Sequence, residues 1–544
     1  LPPEQRERPA TVALIVELLF TQATWASALG APDERVAELL ERAYSGAEDL
    51  LRRGQLTADQ RLLAATVLAR RGTMLGGADA GAARTLLERS RALLEPFLAD
   101  PATNVARLPQ VLSVLSSGAK FLLEAGDIDI ALGLAERLHA IVADEHERDD
   151  DLLRRARLLP ASEAIASIFY RAEKFSRAID ELRPAIATRR ELVRDFPAVP
   201  AHRQGLGRDL LNSALSAVWS AQFDDAAAWT DEAVELFGAL IEQHPTSQEN
   251  RRYLLQAYTC VAHNATARAA YRAAVDWRDA EAAIARGRAL SADPALLADR
   301  SEAALDYRAE FAYVTGRVES KRGRPEAAAT AFATALDCYG ELRERQPATI
   351  SYAARLVDVR EGLARALLEL GRHEEAAPLV EAAIATQREL DPQLASRRKL
   401  ADKQRRLHEL RVRVDIARGE FDGVLPGIDA LLALSPAVAY DWEGHDRAAR
   451  LAFEAARLAP ADSEWRERFA ARCRAEVEST IPGAATYEST SEAMLAVMSS
   501  NSVRTLVALE QELGNHAAAA AAQARVAAGY DAAFEARGSE RNRE

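Results

Sequence analysis

Four stretches decide the fold: AEKFSRAIDELRPA at 172–185, AQFDDAAAWTDEA at 221–233, GRPEAAATAFATA at 323–335 and GRHEEAAPLVEAA at 371–383. In each, an anchor residue (Phe175, Phe223, Pro325, His373) is followed three positions later by alanine (Ala178, Ala226, Ala328, Ala376). A larger residue comes four positions after that (Leu182, Thr230, Phe332, Val380), and a second alanine three further on (Ala185, Ala233, Ala335, Ala383). Proline closes each copy, at Pro197, Pro245, Pro347 and Pro392. Two further copies fall at GDIDIALGLAERL around Ile128 and at GEFDGVLPGIDAL around Phe421. Successive anchors from Ile128 to Phe421 are 47, 48, 102, 48 and 48 residues apart, and the interval of 102 is two periods plus six residues.

A recurring joint means that one helix–turn–helix unit has been copied. A small residue after the anchor admits close approach of two helices, and the larger residue that follows fills the groove of a neighbour. Gly126, Gly323, Gly371 and Gly419 supply the positive φ that ends a first helix. Elsewhere alanine, leucine, arginine and glutamate dominate, apolar residues recur at three- and four-residue spacing, and β-branched alternation is scarce, so the chain reads as all-α.

The order of glycine, aromatic, alanine, large residue, alanine and proline resembles the tetratricopeptide repeat, whose usual period is about 34 residues. The longer period here implies helices of about 20 residues, or about 30 Å. The resemblance implies an α-solenoid of antiparallel helix pairs in a right-handed superhelix. Segments 190–215 (RELVRDFPAVPAHRQGLGRDLLNSAL) and 343–376, and the opening VALIVELLF, resemble long-period arrays that follow the catalytic domain of bacterial serine/threonine kinases. That likeness implies a regulatory module of a signalling protein, cytoplasmic or the extracytoplasmic sensor of a membrane-anchored kinase. The alternative is a fragment controlling a kinase or protease domain outside this chain, and the start at Leu1 fits a part of something longer.

The expected organisation is an N-terminal cap at 1–105 with weak joints at Gly30 and Gly76–Gly77, a solenoid at 106–435, and a C-terminal cap at 436–544. The unit at 246–300 is irregular, with its anchor at Tyr271 or Trp277. WEGHDRAARLAFEAARLAP, at 442–460, resembles a joint of ordinary length, 479–494 a loop, and LGNHAAAAAAQ the joint of a last pair.

The 544 residues carry 69 Lys and Arg against 82 Asp and Glu, a net charge of −13, which disfavours nucleic acid or an anionic membrane as a general partner. The three cysteines lack disulfide or zinc spacing and read as buried thiols. The apolar stretch at 10–20 contains Glu17 and is too short to span a bilayer, so no membrane insertion is expected. Kinase signatures are absent, and the Gly76–Gly81 spacing lacks the lysine and hydroxyl residue of a phosphate loop. His373 sits at a turn anchor, and the DEHERDDD run at 144–151 reads as a solvated helix end. Neither metal nor cofactor, and no catalytic residue, is expected.

In a stacked array the first helices line a groove. Carrying the repeat frame over by position places Tyr170, Arg171, Arg208, Trp219, Tyr313, Arg317, Lys321, Arg365 and Arg413 on that face. Arg317, Arg365 and Arg413 are one period apart and form a column suited to carboxylates of an acidic protein or peptide partner. The competing reading makes them helix-surface ion pairs, because Glu361 and Glu409 stand four residues before Arg365 and Arg413. Aromatic residues between Trp219 and Tyr352 are expected mostly to fill inter-helix grooves. Asn212 falls at a carboxylate-clamp position that Val314 and Gly362 do not continue. Self-association through alanine-rich faces is a further expectation.

Overall fold

The computed structural model describes residues 8–28, 33–75, 79–101, 104, 106–124, 127–148, 150–271, 276–347, 349–390, 397–434, 442–480 and 503–525, and among these there is no strand. The chain divides into two compact units, Leu1–Arg300 and Ser301–Glu544. The first carries α1 (Pro9–Ala28), α2 (Asp33–Arg53), α3 (Ala58–Leu75), α4 (Ala80–Ala99), α5 (Leu108–Glu124), α6 (Ile128–Arg148), α7 (Leu152–Ala156), α8 (Leu159–Arg171), α9 (Phe175–Asp195), α10 (Pro200–Trp219), α11 (Phe223–Gln243), α12 (Gln248–Tyr271), α13 (Arg278–Ser291) and α14 (Pro294–Ala298). The second carries α15 (Glu302–Lys321), α16 (Pro325–Arg345), α17 (Ile350–Glu369), α18 (His373–Leu390), α19 (Arg397–Arg418), α20 (Val424–Ala433), α21 (Trp442–Leu458) and α22 (Glu464–Thr480), followed by α23 (503–512) and α24 (516–525).

Neighbouring helices pack as antiparallel pairs, for example α8 with α9, α10 with α11, α15 with α16 and α17 with α18, which makes each unit an α-solenoid of stacked helix pairs. The joints share one backbone conformation. Glu173, Ala221, Gly323, Gly371, Gly419 and Gly514 have φ of 61°, 59°, 67°, 72°, 74° and 74°. At each, the next N–H reaches back five residues, as Lys174 does to Phe169 O at 2.8 Å and Arg372 to Leu367 O at 2.8 Å. This is the Schellman closure, which satisfies carbonyls that the helix end leaves open. Asp127 N bonds Leu122 O in the same way, although Gly126 itself lies outside the described residues, as do Gly30, Gly76 and Gly77.

Glu173 and Ala221 hold this left-handed conformation with a Cβ, which costs about 1 kcal/mol or more relative to glycine. Glu173→Gly and Ala221→Gly are therefore each expected to raise first-unit stability by about 0.5–1 kcal/mol, read as a higher urea midpoint. A lower midpoint for both would remove backbone strain as the cost at these joints.

Packing follows the sequence frame. Ala178, Ala226, Ala328 and Ala376, the larger Leu182, Thr230, Phe332 and Val380, and the alanines after them are all buried. First helices also touch one another across consecutive pairs: α1 with α3, α3 with α5, α5 with α8, α10 with α12, α15 with α17, α17 with α19 and α19 with α21. Among the described residues, second helices meet comparably only at α6 and α9, so the first helices occupy the inner side of each stack.

Four expectations need correction or completion. Residues 442–458 form one helix, α21, rather than a joint, because Gly444 falls in its first turn and no helix-ending residue follows until Pro460. α20 has ten residues instead of about 20, preceded by a 3-10 turn at Phe421–Gly423 and ending three residues before Pro436. In the irregular unit Trp277 is the anchor: it caps α13 and precedes Pro325 by 48 residues, and the six extra residues lie before it, where α12 grows to 24 residues. Finally, α1 continues the apolar stretch to Ala28. Its Pro9–Ala26 window, with mean hydropathy 1.3, is long and apolar enough to cross a membrane, even though Val16 and Ala23 are buried in the fold. Residues 481–494 of the expected loop lie outside the described residues.

Candidate partner-binding face

The nine residues placed on the first helices by the repeat frame fall into two groups, one in each unit. In the first unit Tyr170 closes α8 and packs edge-on to Phe175 at 5.6 Å, and Phe175 stacks on Trp219 at 6.2 Å. Trp219 then contacts His263 at 6.3 Å, yet 47% of it remains exposed. Beside Tyr170 is a cleft of about 100 Å³ lined by Ala166, Ser167, Leu182, Asn212 and Leu215. Arg171, the last residue of α8, is exposed.

Arg208 points into a charged cluster that joins three helices. Glu163 on α8 accepts from Arg208 of α10 at 2.7 Å and also pairs with Arg189 of α9, which in turn pairs with fully buried Asp209. Burial pushes the Asp209 carboxyl up to about 7 against the pull of Arg189. Gly205 makes room for this arrangement, since a Cβ there would fall on Arg189 Nη1. Arg208 is thus committed to structure.

In the second unit the column splits. Arg365 pairs with Glu361 at 3.0 Å and Arg413 with Glu409 at 3.1 Å, the helix-surface pairs of the competing reading. At Arg317 the position four residues earlier is Tyr313, whose ring faces the guanidinium carbons of Arg317 and Arg355 at 5.8 and 5.7 Å. Burial holds the Tyr313 phenol well above its usual range. Lys321 lies exposed at the end of α15. Of the aromatic residues in the middle of the chain, Tyr339 and Tyr352 are buried, and Trp229, Tyr253, Tyr258 and Tyr313 pack against the cores as expected. The side chain of Tyr271 lies outside the described residues.

Sequence reasoning missed Arg355, Lys403 and Arg406, which share this face. Arg355 pairs with Glu310 at 3.3 Å, Lys403 with Asp358 at 2.6 Å and Arg406 with Glu361 at 3.2 Å. The signal was present: each cation follows its carboxylate by 45 residues, as Arg208 follows Glu163. That is one period less about one helical turn, which brings the two side chains together across adjacent first helices. Tyr339 donates to Glu310 at 2.8 Å, and burial raises the nearby Asp306 carboxyl to about 6.

Cys260, Cys338 and Cys473 are buried, and burial pushes the Cys473 thiol up to about 12. Among the described residues no group of three or more His, Cys, Asp or Glu side chains is placed to hold a metal ion.

No protein-family model matches the chain, and no curated protein is similar to it in sequence. Among solved structures it is similar to BtubC from P. vanneervenii, at 16% identity and TM-score 0.37 over 49% of this chain and 96% of that one. It is also similar to Rap protein complexed with competence and sporulation factor (12%, TM-score 0.34, 79% and 99%) and to the human IFIT1 dimer with PPP-AAAA (13%, TM-score 0.31, 85% and 93%). Likeness at this level adds nothing to the helix pairs described above, which carry the fold assignment themselves.

Proposed function

We propose that the chain is a non-catalytic scaffold that binds a protein or peptide along its first helices. The observation that carries this reading is the edge formed by Tyr170, Phe175 and Trp219: a large aromatic side chain half exposed beside a cleft, on the inner side of a helix stack. Aromatic anchors next to a preformed pocket are the usual centres of binding energy at protein interfaces. The finer reading, a regulatory module of a bacterial signalling protein, rests on the sequence likeness of 190–215 and 343–376 to kinase-associated arrays.

Selection of a random peptide library on the whole chain tests the scaffold reading. Selected peptides are expected to lose at least tenfold in affinity with Trp219→Ala, and the chain is expected neither to hydrolyse ATP nor to transfer phosphate. Peptides that bind Trp219→Ala and every other first-helix variant normally would move the binding surface to the second helices. Turnover abolished by a mutation in this chain would overturn the scaffold reading.

A further inference from the structure

The inner face of the second unit is layered in charge. Glu310, Glu361 and Glu409 lie deep among the first helices, and guanidinium groups stand above them: Arg355 is 42% exposed over Glu310 at 21%, Arg365 38% over Glu361 at 12%, and Arg413 36% over Glu409 at 16%. Two pairs that involve a second helix have the opposite polarity. Glu374 of α18 is 71% exposed against 26% for Arg418, and Asp429 of α20 is 62% exposed against 24% for Arg472. In a chain with a net charge of −13, the inner face of this unit therefore presents arginines outermost.

The strongest point of the cationic side is Arg317. Tyr313 takes the place that Glu361 and Glu409 hold in the next two pairs, and among the described residues no carboxylate lies within ion-pairing distance of Arg317. A ring positions a guanidinium without neutralising it, whereas a carboxylate does both. Arg355 stands over the same ring, and the Glu310 carboxylate keeps it firmly protonated. Lys321 follows Arg317 by one turn.

We infer that this face binds an extended acidic polypeptide. Arg317 and Arg355 receive one carboxylate or phosphoryl group beside Tyr313, and Arg365 and Arg413 receive further acidic side chains at the next two pairs. The inference rests on the reading of the first helices as the binding surface. Guanidinium groups suit both anions through paired N–H donors. Glu361 and Glu409, lying beneath, hold Arg365 and Arg413 in place before a ligand arrives, which lowers the ordering cost of binding.

The test uses the whole chain and four fluorescein-labelled probes of twelve units: an Asp/Glu-rich peptide, the same peptide with phosphoserines replacing the acidic residues, a Gln/Ser peptide, and single-stranded oligouridylate. Two triple variants remove equal charge, Arg317→Gln/Arg365→Gln/Arg413→Gln on the inner side and, in the same unit, Arg345→Gln/Arg372→Gln/Arg388→Gln on second helices or a joint. The single Arg317→Gln variant guards against misfolding of the triple, with helicity checked by circular dichroism.

Either acidic peptide is expected to bind, and the better of the two identifies the anion. The inner triple should weaken binding at least tenfold and flatten its salt dependence, Arg317→Gln at least threefold, and the outer triple less than twofold. Unchanged affinity in the inner triple overturns the inference, as does tighter binding of oligouridylate, which would assign the face to nucleic acid. Binding of the Gln/Ser peptide but of neither acidic one overturns this inference alone and leaves the scaffold reading standing.

Discussion

Arg189→Met is expected to destabilise the first unit by about 3–5 kcal/mol, because it strands the buried Asp209 carboxylate and takes one of two cations from Glu163. Methionine approximates the arginine stem, so the loss isolates charge from volume. The deficit should also depend on pH. Asp209 titrates near 7 in the folded chain, above the unfolded value of about 4, so its proton is bound more tightly when folded. A group shifted in this direction stabilises most below its unfolded pKa, and the contribution fades as pH rises through its folded pKa. With Arg189 gone the carboxyl is held protonated still more strongly, so the variant should lose less stability at pH 5.5 than at pH 8. Urea unfolding at both pH values measures this, and an equal deficit at the two would show that Asp209 does not carry the cost. Asp209→Asn combined with Arg189→Met should recover part of the loss.

The second large effect centres on Phe332 of α16. Its ring lies between two glycines on the flanking first helices. A Cβ on Gly316 of α15 would approach the ring to 2.7 Å, and one on Gly362 of α17 to 2.6 Å. Phe332 thus fills the groove between consecutive pairs and joins them. Phe332→Ala should cost about 3–5 kcal/mol. Gly362→Ala should cost about 1–3 kcal/mol by overpacking, and less in a Phe332→Leu background, where the smaller side chain yields. If the two substitutions are additive in urea unfolding, the ring and the glycine are not in contact.

These two sites mark the boundary of what the sequence discloses. The joints were legible because glycine, alanine and proline each impose a backbone or packing constraint of their own, and those constraints recur every 48 residues. Glu173 and Ala221 adopt the glycine conformation with no compositional sign, and only their place in the period gives them away. The groove-filling role of Phe332 was legible, whereas its glycine neighbours were not, because Gly316 and Gly362 occupy different register positions on their helices. The Arg189–Asp209 pair lies 20 residues apart on two helices whose relative rotation no spacing rule supplies. On the candidate face, a column was sought at the full period, which finds residues side by side. Contacting residues of opposite charge recur instead at 45. The extent of α1 was underestimated because the apolar run was ended at Phe20, although alanine and tryptophan continue it.

The ties between consecutive pairs also set how the protein yields to force. Glu95–Arg137, Glu136–Arg177 and Arg190–Glu232 in the first unit, and Glu310–Arg355, Glu361–Arg406 and Glu374–Arg418 in the second, each reach one pair along the chain. Tension applied along such a stack meets a series of similar clasps, and among the described residues no single latch holds distant parts together. Each unit should extend as a spring, giving up one helix pair at a time and recoiling from whatever pairs remain.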